Sequence, residues 1–127
     1  MRNVNLEELT VDQLVDRFSD LNVALDDAQW DALGQSNYSK VKSLIYSIRD
    51  VDEELRARGR DARLALTRLY ESRNVQVRLM AAKLTLGIVP VEARRVIEQI
   101  SASKIYPQAG DAGMTLVNLD EGIFKPD

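Results

Sequence analysis

Residues 74–87 read Asn74-Val75-Gln76-Val77-Arg78-Leu79-Met80-Ala81-Ala82-Lys83-Leu84-Thr85-Leu86-Gly87. An asparagine ahead of an apolar run marks a helix start, because its side-chain oxygen takes a backbone N–H that the first turn leaves without a partner. Val77, Met80, Ala81 and Leu84 recur at three- and four-residue spacing and form the main apolar stripe. Val75, Leu79, Ala82 and Leu86 widen it toward burial on all sides, as in a helix packed by several neighbours. Ala81 and Ala82 are small and allow those neighbours a close approach. A helix of this kind belongs inside a helical domain.

The neighbouring segments extend the pattern. Upstream, Asp61 is placed to cap a short helix over 60–70 with Leu64, Ala65, Leu66 and Leu69 inward, and Glu71-Ser72-Arg73 is a link. Downstream, Gly87-Ile88-Val89-Pro90 is a break, and Pro90 suits the first turn of the next helix. Ala93, Val96, Ile97 and Ile100 give that helix its apolar face. The stretch from Ser101 to Gly113 contains Pro107, Gly110 and Gly113 and reads as less regular, with Asp111 placed to cap a last helix. That helix uses Met114, Leu116, Val117 and Leu119 and closes at Gly122, after which Phe124 tucks against the body.

Toward the N-terminus, Thr10 and Gln13 form a capping box, and Leu9 with Leu14 a hydrophobic staple. Val11, Leu14, Phe18, Leu21 and Leu25 predict a first helix from 11 to about 31, or one that breaks near Asp26, with Asp12, Asp16 and Asp20 on its polar side. Gly34-Gln35-Ser36-Asn37 is a turn. A second helix runs from Asn37 to Gly59 on Val41, Leu44, Ile45, Ile48, Val51 or Asp52, and Leu55. Gly59 is expected as a left-handed C-cap, and Glu54 is spaced to pair with Arg58. No window alternates long enough to demand a strand. The fold expected is all-α, a single domain over residues 1–127.

Composition narrows the chemistry. The chain has 127 residues, 45% of them hydrophobic, which is enough for a core without covalent staples. It has no cysteine and no histidine, which removes disulfides, thiolate nucleophiles, imidazole ligands and histidine bases. The first residues lack the apolar run of a signal peptide, and charges interrupt every long helix, so a cytoplasmic protein with no membrane contact is expected. Net charge is −3, unevenly spread: residues 1–54 carry twelve acidic and five basic groups, and residues 55–104 carry eleven basic and four acidic ones.

The stretch 74–87 resembles the second helix of a HEAT repeat, with a polar cap, Val-Arg, a small pair, then leucine and glycine. A longer pattern is similar to the DUF2019 family of bacterial HEAT-like domains. It rests on three stretches: Val51 to Gly59, Gln76 to Thr85, and Tyr106 to Met114 followed by Leu119 to Pro126. The resemblance implies a short right-handed HEAT-like stack of five or six helices, whose end helices cap the core. It implies no catalytic set.

The candidate partner-binding residues are Arg60, Arg63, Arg73 and Arg78 on the basic hairpin, and Tyr106, Gln108 and Asp111 in the glycine-containing stretch. Arginine suits bidentate pairing with carboxylates. Tyr106 and Gln108 are expected at a surface. Trp30 and Tyr38 flank the first turn as further anchors, and Asp12, Asp16, Asp20, Asp26, Asp27 and Asp31 form an acidic face. Each of these sets also has an ordinary structural reading, as a solvated face or a packed turn. No nucleic-acid partner is expected, since the chain is acidic overall and aromatics do not interleave with the arginines. No cofactor, metal or catalytic residue is assigned. The function expected is a non-catalytic module that binds a protein partner through a charged face. A homodimeric assembly protein and an immunity-type protein that masks a toxin are the alternatives, and a small hydrolase ranks last.

Overall fold

The computed structural model describes residues 5–31 and 38–127. The turn expected at Gly34–Asn37 and the side chain of Trp30 lie outside that description. Among the described residues there are six α-helices and no strand: α1 (Val11–Asp31), α2 (Tyr38–Arg58), α3 (Arg60–Leu64), α4 (Val75–Thr85), α5 (Pro90–Ala102) and α6 (Gln108–Asp120). The chain is all-α, as its periodicity predicts. No helix among these residues is long and apolar enough to cross a membrane. The chain divides into two compact units, Met1–Ala65 and Leu66–Asp127.

In the first unit α1 and α2 pack along each other. The six residues between them reach only about 24 Å at full extension, less than the ~30 Å length of either helix, so α2 must run back antiparallel to α1. The capping box forms as its spacing predicts: the Gln13 backbone N–H donates to Thr10 Oγ1 at 3.1 Å, and the Thr10 N–H donates to Gln13 Oε1 at 2.8 Å. Leu14, Phe18 and Leu25 are buried, and so is Asn22, whose amide donates to the Phe18 carbonyl at 2.9 Å. From α2 the core takes Ile48, Val51, Asp52 and Leu55.

Glu54 pairs with Arg58 at 2.8 Å, and Arg58 also donates to the Leu6 carbonyl at 2.9 Å, tying the short 3₁₀ turn Leu6–Glu8 to the end of α2. Gly59 has φ 104° and ψ −177°, so its φ is positive, but it is extended rather than left-handed helical. It accepts from the Arg63 N–H at 3.2 Å and thereby starts α3 directly after α2. It is a joint between two helices, and Asp61 lies in the first turn of α3 instead of capping it.

The helix expected over 60–70 is α-helical only through Leu64 and continues as a 3₁₀ helix over Ala65–Glu71. Leu66 and Leu69 are three residues apart and Ala65 and Leu69 four, so the sequence pattern suits an i+3 ladder as well as an i+4 ladder and does not separate them. The tighter winding changes the phase of the face and brings the Tyr70 hydroxyl onto the Thr85 hydroxyl. Thr85 already donates to the Ala81 carbonyl at 2.7 Å, so Tyr70 is the donor.

In the second unit α5 packs against both α4 and α6. The core joins Val75, Leu79, Ala82 and Leu86 to Ala93, Ile97, Ile100 and Ala112, with Tyr70, Val96, Leu116, Leu119 and Phe124 packed against it. Phe124 thus docks as expected. Asn74 caps α4, accepting from the Val77 N–H at 3.0 Å.

The stretch 101–113 is more regular than its glycines suggest. Residues up to Ala102 belong to α5, and α6 begins at Gln108, with both Gly110 and Gly113 inside it. Asp111 is therefore a first-turn residue and not the cap. At Gly110 a Cβ would meet only the Tyr106 ring, at 3.9 Å, an ordinary contact. Gly110→Ala is accordingly expected to stabilise the protein by about 0.5–1 kcal/mol through helix propensity, seen as a higher thermal midpoint.

Candidate interaction surface

The outer face of α2 is the least ordinary surface among the described residues. Ile48, Val51 and Leu55 fill the core side of the helix. About 100° round it, at the α-helical turn per residue, lies a second stripe: Tyr38, Val41, Lys42, Ile45, Tyr46 and Arg49. These six residues line a shallow groove of about 200 Å³. Tyr38 is 70% exposed, Ile45 44% and Tyr46 48%. The Arg49 guanidinium lies 5.3 Å from the centre of the Tyr46 ring, and the Lys42 ammonium lies 6.0 Å from it. Both cations are within reach of the ring's negative face. Among the described residues no carboxylate lines the groove.

Ile45, taken from periodicity as a core residue, therefore belongs to an exposed face. Tyr38, read from the sequence as either a packed turn residue or an anchor, is exposed. Only the packing partner of α2 separates its two stripes, since both recur at helical spacing.

A second groove of about 320 Å³ runs along α1, lined by Leu9, Gln13, Asp16, Arg17, Asp20 and Leu21. It sets the carboxylates of Asp16 and Asp20 and the Arg17 guanidinium among the apolar side chains of Leu9 and Leu21, a mixed surface of both charges. Among the described residues no group of three or more acidic side chains is arranged to hold a metal ion.

The residues expected to bind a partner are scattered by the structure. Arg63 is only 9% exposed and Gln108 only 2%, so neither offers a partner its side chain. Gln108 donates instead to Gln76 Oε1 at 3.0 Å, a buried amide pair joining α6 to α4. Arg78 is spent locally, donating to the Ser72 carbonyl at 2.7 Å and holding the turn before α4. Asp111 pairs with Lys83 at 3.0 Å and accepts from the Thr115 hydroxyl at 3.3 Å. Arg60, Arg73 and Tyr106 are exposed. Only Tyr106 is part of an apolar surface, lying over Gly110 on the α6 side that also carries exposed Met114 and Val117.

The charge polarity of the sequence is largely absorbed. Arg56 and Arg58 belong to α2 and pair with Asp52 and Glu54. Counted by unit, the first has thirteen acidic and nine basic residues, the second seven and eight. Arg94 bridges Asp120 through two nitrogens, at 2.9 and 3.2 Å, and Glu98 at 3.2 Å. The Arg94 hydrogen bonds hold the Asp120 carboxyl below the usual aspartate range. Burial pushes the Tyr70 phenol up, against the opposing effect of its hydrogen bond with Thr85.

The family profile of the domain of unknown function DUF2019 matches residues 12–120, from the first turn of α1 to the last residue of α6. The chain belongs to the DUF2019 family. Both compact units of this DUF2019 protein contribute to the match. It is also similar to the protein RPA1889 from Rhodopseudomonas palustris CGA009, known from a crystal structure. The two are 45% identical, the likeness covers 98% of this chain and all 100% of that one, and the TM-score is 0.88. No curated protein matches. The α2 stripe, from Tyr38 to Arg49, lies wholly inside the DUF2019 match.

Proposed function

We propose that this DUF2019 protein is a non-catalytic protein-interaction module that takes its partner on the outer face of α2. The observation that carries the reading is the exposed Tyr38–Ile45–Tyr46 stripe with Lys42 and Arg49 held over the Tyr46 ring. Tyrosine and arginine are enriched at the energetic centres of protein interfaces, because tyrosine buries much area for two rotatable bonds and arginine carries a planar group that both pairs and stacks on aromatic faces. The absence of histidine and cysteine from the sequence leaves no ordinary neutral-pH base or thiol nucleophile, which favours binding over catalysis. The HEAT-like reading is retained as part of this proposal, supported by the Asn74 cap and the fully buried Ala81 and Ala82 of α4.

A photo-crosslinking amino acid placed at Ile45 is expected to give a discrete covalent adduct in the native cell. The same group at the exposed Gln99 of α5 should give none. If position 45 yields no more adduct than position 99, the reading is wrong.

A second reading is self-assembly through α6. It is favoured by Tyr106, Met114 and Val117, all exposed on that helix and its approach. Concentration-dependent mass in light scattering that Met114→Glu abolishes would favour it.

A further inference from the structure

The α2 groove has a charge pattern that selects among occupants. Its central residues run Lys42-x-x-Ile45-Tyr46-x-x-Arg49, and the exposed Tyr38 and Glu53 lie on the same helical face one turn beyond each cation. The pattern is symmetric about the midpoint between Ile45 and Tyr46. If two copies of α2 crossed antiparallel on this stripe, Lys42 of each would oppose Arg49 of the other. Four cations would then be desolvated around one apolar contact, with no carboxylate of the groove to pair them. Parallel pairing would place each cation against its own copy. The stripe is therefore built against itself.

The chain's own α1 carries acids at the matching interval, Asp20 and Asp27, around Val23 and Ala24. Those two small side chains give Ile45 and the Tyr46 ring little to bury against. In the antiparallel register that opposes these acids to Arg49 and Lys42, Asp16 falls against Glu53.

We infer that the groove on α2 takes an amphipathic, acidic helix of another protein, one with large apolar residues at two adjacent positions and a carboxylate three residues outside each. The inference rests on the α2 docking face proposed above and adds the chemistry of its occupant. The apolar pair covers Ile45 and Tyr46, and the flanking carboxylates meet Lys42 and Arg49. The helix-in-groove mode uses this i, i+3, i+4, i+7 spacing. The first unit is net acidic, so the pairing acts at contact range and not by long-range steering.

Two fluorescent helix-forming peptides of about 20 residues, long enough to populate a helix, test this. One carries Glu-x-x-Leu-Leu-x-x-Glu and the other carries lysine at both glutamate positions. The full chain is expected to bind the acidic peptide about tenfold or more tighter in anisotropy titrations, a difference of about 1.4 kcal/mol. The double substitution Lys42→Glu with Arg49→Glu should reverse the preference, and Ile45→Ser should abolish both. All three positions are exposed, and unchanged thermal midpoints will show that these variants fold.

Equal binding of both peptides that Ile45→Ser abolishes would overturn the acidic occupant and leave the docking face standing. So would failure of both peptides while crosslinks at position 45 persist. Self-association that Ile45→Ser abolishes would identify a second copy as the occupant and overturn the inference. Failure of both peptides together with absence of crosslinks would overturn the face as well.

Discussion

Leu79→Ala is expected to destabilise the protein by about 2–5 kcal/mol, the range for removing a fully buried leucine. Leu84→Ala, five residues on and half-buried, should cost a fraction of that. Leu79 has no exposed surface and sits in the core that joins α4 to α5 and α6. Its removal takes away the transfer energy of the side chain and leaves a cavity between three helices. Of these, α4 and α6 are pinned to each other by the Gln76–Gln108 and Lys83–Asp111 pairs and cannot easily collapse into it. The contrast weighs two sides of α4: the main stripe read from periodicity is fully buried at Val77 and Ala81 but only half-buried at Met80 and Leu84, whereas Leu79 on the widening stripe is fully buried. Urea midpoints of the two variants measure it, with hydrogen exchange over 75–119 to locate the loss in the second unit. Equal costs at the two positions would contradict the packing described.

Gly87→Ala is expected to cost about 1–3 kcal/mol, typical of forcing an extra methyl into a filled site. A Cβ at Gly87 would lie 2.4 Å from the backbone carbonyl carbon of Asp127 and 3.0 Å from its oxygen. The obstacle is backbone, so the segment after α6 must move. That segment also carries Phe124, which packs on the second unit's core, and Phe124 donates its N–H to the Asn118 carbonyl at 3.1 Å. Exchange protection at residues 123 and 124 should fall in the variant. Removing Asp127 from the Gly87→Ala chain should restore most of the loss, whereas a simple propensity effect would be indifferent to the deletion.

Local chemistry made much of the fold legible. Thr10 with Gln13, Asn74 and Pro90 place three helix starts correctly, because a cap is a contact between residues only a few positions apart. The stripe of Leu14, Phe18 and Leu25 was equally clear, since one side of α1 is apolar and the other acidic. The difficulty began where two readings share a local pattern. Glycines at 110 and 113 suggest turns, but α5 packs along α6 and offsets the helix propensity they lose. Arg63 and Gln108 look like surface residues by type, and only the packing around them shows them buried.

The site was harder still. Tyr38 could be marked as an anchor because it stands beside a turn, but Val41 and Ile45 were assigned to the core. In α2 two apolar stripes lie about 100° apart, and a sequence holds no reference direction that says which one faces a neighbour. The helical class, the number of helices and most of their boundaries were thus determined by the sequence alone, because each depends on residues within a turn or two of one another. The α2 groove, the buried amide pair of Gln76 and Gln108, the shielding of Arg63 and the seat of Asp127 at Gly87 were decided by tertiary structure. Each depends on which face of a helix its neighbours cover, and that choice belongs to the packing of distant segments.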